Sequence, residues 1–225
     1  MTATISPLLR GEGLPQYSAI NPQMVSSDIP TLLGTLNNEF NALEQRLEQA
    51  MSSDAPLLWD TVMLPMQRIS ERLRWSWGVV SHLNGVCNSK DLREAHAAQQ
   101  PEVVRLGNRL GQSQVLHRAL ERLRDQPAEP LSATRQRILS AELLSMRHRG
   151  VGLEPGVQSA FNKSSERLAA LSTQFSNHVL DATQQWTLKL TDPEQVAGLP
   201  QRALDALAAA ARDAGETDAT ASSGP

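Results

Sequence analysis

Only one cysteine, Cys87, occurs in the 225 residues, so the chain can build no disulfide framework of its own, and a reducing compartment suits it. Strand signals are nearly absent. Trp186–Leu190 alone alternates well enough to be extended. No stretch approaches the roughly 18 apolar residues of a membrane-spanning helix. The first residues carry neither an apolar core of signal-peptide length nor a basic leader. The chain is therefore expected to be soluble and cytoplasmic. A large charge of either sign is also missing: the net charge is −3 and the pI is near 6.0, which argues against nucleic acid or an anionic membrane as a partner. Finally, no His-Glu-x-x-His occurs, the arrangement that sets two zinc ligands and a general base on one helix face.

What is present is helical. At 40% hydrophobic and 20% charged, the chain can bury a core and is no disordered polyelectrolyte. After an irregular lead-in over 1–21, punctuated by Pro7, Gly11, Gly13 and Pro15, a helix starts at Pro22 or restarts after Asp28. Its stripe is Leu33, Leu36, Phe40, Leu43 and Leu47. A second helix runs from Asp60, read as its N-cap, through Met66, Ile69, Leu73, Trp77, Val80 and Leu83, with Pro65 bending its first turns. A third holds Leu92 and Ala95, is kinked or restarted at Pro101, and continues its apolar face through Leu123. A fourth follows Ser132 and ends at Gly150, a residue suited to the left-handed conformation beyond a helix. An alanine-rich helix spans 201–213, and 214–225, without an apolar anchor, is expected to be disordered. The fold class is all-α, with one helical domain over 22–213.

The longest pattern lies between these. Val157, Phe161, Ser164, Leu168, Leu171, Phe175, Val179, Ala182 and Trp186 recur every three or four residues, a single apolar stripe along about eight helical turns. By amphipathicity alone this is a core helix. The polar residues set between the stripe positions in Ser172–Trp186, STQFSNHVLDATQQW, are more particular.

Each residue type that could carry chemistry also has a packing role open to it. His82, His96, His117, His148 and His178 include no pair at i,i+3 or i,i+4, so each is expected to be structural or superficial. His82, with Ser81 and Asn84 nearby, is the best candidate for a buried, hydrogen-bonded histidine, and His178 beside Asn177 is similar. Cys87 reads as a small core residue, with no neighbouring cation to activate a thiol. Trp59, Trp75, Trp77 and Trp186 read as packing rather than a peptide-stacking cluster. Glu142, Glu166 and Asp181 have no paired carboxylate at fixed spacing, and Gly150–Gly152 is too short to cradle phosphate.

The Ser172–Trp186 segment resembles the late N-terminal region of the oligopeptidase A, thimet oligopeptidase and neurolysin family of zinc metallopeptidases. Three further blocks are similar in order. Leu14-Pro15-Gln16-Tyr17-Ser18-Ala19-Ile20-Asn21-Pro22 matches the family's opening, and Trp59-Asp60 with Pro65 precedes a block from Trp77 to Ala95. Gly150-Val151-Gly152-Leu153 then introduces the long helix. After Ala95 the chain departs from the family's pattern with His96-Ala-Ala-Gln-Gln-Pro101. The resemblance implies a cytosolic enzyme that cuts short peptides with water activated by zinc, its helices divided by a deep channel. It covers only the N-terminal third, one wall of that channel. The implied zinc and catalytic half would then lie elsewhere, and no catalytic, cofactor-binding or metal-binding residue carries over to any position here. The chain is expected to be inactive alone, with the missing C-terminal half as its partner. The alternative is a free-standing helical interaction module derived from such a peptidase.

Overall fold

The computed structural model describes residues 6–222, which divide into two compact units, one ending at Asn177 and the other beginning at His178. Seven α-helices and two short 3-10 turns make up the described residues, with no strand among the helices and turns. Trp186–Leu190 joins no sheet.

Helix α1 runs unbroken over Pro22–Ser52. Of the two possible starts, Pro22 is the one used: Asn21 accepts the Met24 N–H at 2.9 Å, and a proline in the first turn surrenders an N–H that has no helical partner anyway. Pro30 does not interrupt the helix. It and Ser26, whose carbonyl loses its partner, are both exposed, so water can serve that oxygen. Val25, Ile29, Leu32, Leu36, Phe40, Leu43 and Leu47 are buried along one face.

Helix α2 spans Trp59–Val86, one residue earlier than the sequence suggests. Leu58 is the N-cap, and its N–H donates to Thr61 Oγ1 at 3.3 Å; Asp60 sits inside the first turn, where its charge meets the positive end of the helix dipole. Helix α3, Lys90–Gly111, passes through Pro101 without a break. The break comes later. Ser113 accepts the Leu116 N–H at 3.1 Å and opens a separate helix α4, Gln114–Asp125, where the apolar pattern suggests continuity. Ser132 likewise caps α5, Ala133–His148. That helix closes as expected: Gly150 takes φ +88°, its N–H bonds to Arg147 O, and Val151 N–H reaches back to Met146 O at 3.0 Å.

Two apolar clusters result. The larger joins Leu32–Leu47 of α1, the first half of α2, Leu106 and Leu110 of α3, and the inner faces of α4 and α5. The smaller gathers Val25 and Ile29 of α1 with Val79, Val80 and Leu83 of α2, Leu92, Ala95 and Val103 of α3, and Leu8 of the lead-in. The lead-in is thus pinned in place: Leu8 is fully buried, its carbonyl accepts the Ser76 hydroxyl at 2.7 Å, and the Trp75 indole donates to Gly13 O at 3.1 Å.

Helix α6 is Pro155–Gln185. The second unit contains the 3-10 turn Pro193–Val196 and helix α7, Gln201–Asp213. Lys189 pairs with Glu216 at 2.6 Å, Arg212 donates to the Ala219 carbonyl at 2.6 Å, and Ala208 and Ala219 are buried.

Phe40 sits at the centre of the larger cluster with no exposure. Phe40→Ala should cost about 3–5 kcal/mol, read as a lowered urea midpoint in equilibrium unfolding.

Candidate functional site

The structure rearranges the histidines. His82 is exposed rather than buried, resting against the Tyr17 ring at 5.4 Å between centroids. His178 and His148 are exposed as well. The buried histidine is His96, only 4% exposed and stacked on Trp77 at 4.5 Å. Its place on α3 one residue from Ala95 puts it at the edge of the smaller cluster, and burial lowers its pKa below the ordinary 6.5. Helical period alone could not separate His96 from His82, because each neighbours a buried position and rotation about the helix decides which points in.

Cys87 is exposed, since it caps the C-terminus of α2 rather than facing a core. Trp59 is buried and Trp75 and Trp77 pack against the smaller cluster, but Trp186 is exposed. Glu166 is held by Arg105 at 3.1 Å, and Glu142 and Asp181 lie elsewhere on α5 and α6. Among the described residues no three His, Cys, Asp or Glu side chains come together as metal ligands. The donor set present does not fit a zinc ion.

The surface that stands out is on α6. Its amphipathic stripe predicts a core helix, yet no residue of α6 is buried. Leu168 is 67% exposed and Phe175 71%, with Val157 and Leu171 exposed beside them. Phe161 of the same stripe is half-buried, and the hydrogen bonds and ion pair that tie α6 to α3 lie on another face. Gln100 donates to Ala169 O and Thr173 Oγ1, Arg105 pairs with Glu166, and the amides of Gln112 and Asn162 bond reciprocally at 2.7 and 3.2 Å. Asn162, Glu166, Ala169 and Thr173 follow the same three-to-four spacing as the apolar stripe, about two-fifths of a turn round the helix. The sequence contains this second stripe, but a polar row at helical spacing ordinarily means a solvated face. Here it is the docking face.

The family model described as the Neurolysin/Thimet oligopeptidase N-terminal domain matches residues 29–158. The chain belongs to this family. The match runs from α1 into the first turn of α6, so it covers the buried residues of the larger apolar cluster of the oligopeptidase N-terminal domain and those of the smaller one apart from Leu8 and Val25. Probable cytosolic oligopeptidase A of Arabidopsis thaliana is 34% identical over 225 residues, all of this chain and 31% of that protein. The organellar oligopeptidase A of the same plant is also 34% identical, with 27% of its length covered. Oligopeptidase A of Escherichia coli is 32% identical over 207 residues, 92% of this chain and 29% of that protein. The chain thus spans about a third of the length of these relatives. No described helix is long and apolar enough to cross a membrane.

Two outcomes follow. Burial makes the folded chain bind a proton at His96 less readily than the unfolded chain, which takes one up there below about pH 6.5. Its contribution is therefore steady above that pH and turns against folding as pH falls towards the lowered folded-state value. His96→Phe, which keeps the stack on Trp77, should flatten the loss of stability between pH 7 and pH 5 in parallel urea titrations; equal slopes would refute it. Leu168→Ala should change stability by less than about 0.5 kcal/mol, against about 2–5 kcal/mol for Leu120→Ala in the core.

Proposed function

We propose that this chain is the N-terminal, non-catalytic wall of a cytosolic zinc oligopeptidase that hydrolyses short peptides, and that the rest of such an enzyme covers the outer face of α6. The observation that carries this reading is the inverted docking of α6. A helix held by hydrogen bonds on one side and showing Leu168, Leu171 and Phe175 on the other has an apolar face in want of a partner. Burying each of those side chains is worth roughly 1.5–3 kcal/mol, enough together to drive a stable interface. The relatives carry about two further lengths of chain that could supply the cover.

In this reading the metal, its ligands and the general base belong to the covering part, and no step of hydrolysis runs through a residue of this chain. Its own contribution is steric. The α1–α5 body is a rigid support, and the wall built on it restricts access to short, unfolded peptides. The names of the relatives include both a cytosolic and an organellar oligopeptidase A; the lone exposed Cys87 and the lack of a disulfide suit the cytosolic placement.

Purified alone, the chain should neither retain stoichiometric zinc by metal analysis nor cleave peptides. Mixed with the C-terminal part of the Escherichia coli relative, it should form a complex that hydrolyses a short peptide in a chelator-sensitive manner. Leu168→Glu combined with Phe175→Glu should abolish that complex while the circular dichroism of the chain stays helical. One tightly bound zinc per isolated chain, or chelator-sensitive hydrolysis by it, refutes the assignment.

A further inference from the structure

Between α3 and α6, above α1, the polar seam opens into a pocket of about 470 Å3, lined by Glu44, Asn108, Arg109, Gln112, Asn162 and Glu166 among others. That volume lies within the roughly 300–1,000 Å3 of small-molecule sites. The lining has no apolar side chain, and most of its hydrogen-bonding capacity is already used. Arg109 Nη2 donates to Asn41 Oδ1 at 2.5 Å and to Glu44 Oε2 at 2.8 Å, with its guanidinium 4.7 Å above the Phe40 ring. Ser113 donates to the other Glu44 oxygen at 2.6 Å. Arg105 takes both oxygens of Glu166, and Gln112 and Asn162 satisfy one another.

Two groups are left over, and both are donors. Arg109 Nη1 and Asn108 Nδ2 are shielded from solvent and have no partner among the described residues. They are successive residues of α3 beside one pocket. Unpaired donors of this kind are costly in a folded protein and call for an acceptor. The two lining arginines are balanced by Glu44 and Glu166, so the pocket has no excess positive charge to hold a dianion. Its carboxylates are engaged, so it has nothing to offer a cation. A group with two acceptor oxygens and a single negative charge matches what remains.

We propose that this pocket binds a carboxylate, free or at the C-terminus of a peptide, between Asn108 and Arg109. The Asn108 side chain makes no hydrogen bond among the described residues, so its amide can turn to meet one oxygen while Arg109 Nη1 meets the other. The inference is independent of the peptidase reading and concerns this chain by itself.

The experiment is a titration of the 15N-labelled 225-residue chain at constant ionic strength with acetate, chloride, trialanine and trialanine amide. Acetate should shift the Asn108 side-chain amide signals saturably and chloride should not. Trialanine binding tighter than acetate, with the amide inert, would assign the site to a peptide terminus; equal binding of acetate and trialanine would assign it to small carboxylates. Asn108→Asp, which sets a like charge against the ligand, should weaken acetate binding by about tenfold or more with the melting temperature little changed. Asn108→Leu removes the donor without adding charge and should also weaken binding. Shifts that stay linear, that chloride reproduces, or that both variants leave intact would overturn the proposal.

Discussion

Both apolar clusters close on helix α1, and the rest of the first unit depends on that shared stripe. From Val25 to Leu47 one face meets the smaller cluster first and the larger one after it, so a single long helix sets the register of α2, α3 and α4 together. Capping keeps the register sharp. Asn21, Ser89, Ser113 and Ser132 each accept the backbone N–H three residues on, so α1, α3, α4 and α5 each begin at a defined residue. The lead-in adds Leu8 and two hydrogen bonds from α2, which explains how a proline- and glycine-rich segment without helical period holds one conformation.

Against that body, α6 obeys a different rule. Its contacts with α3 are amide pairs and an ion pair, individually modest because water competes for every one of them. Val157, Leu168, Leu171 and Phe175, which would ordinarily dominate helix packing, are exposed. The arrangement makes sense for an element shared between two partners, with a polar seam to one and an apolar face for the other. In the proposed reading that second partner is the remainder of an oligopeptidase; the relatives are about three times as long as this chain.

The fold was largely readable. Periodicity located α1, α2, α5, α6 and α7 to within a residue or two, and Gly150 marked its turn because left-handed backbone favours a residue without Cβ. The start of α4 was harder to see. Ser113 is an ordinary polar residue until its side chain caps a helix, and the leucines on either side keep period across the break. The candidate site was less legible. His82 and His96 exchanged roles, and Cys87 was exposed by the end of α2, because a residue's depth depends on what packs over its face.

The sequence by itself determined the all-α class, the stripe that each helix presents, most of their ends, and the resemblance to the oligopeptidase family. These are local properties: spacing sets a face, and a cap or a glycine sets an end. Only the tertiary structure decided which stripe of α6 meets the body, that His96 is the buried histidine, and that Asn108 and Arg109 are left with unpaired donors. Burial and hydrogen-bond satisfaction are settled between elements, by neighbours that no single segment encodes.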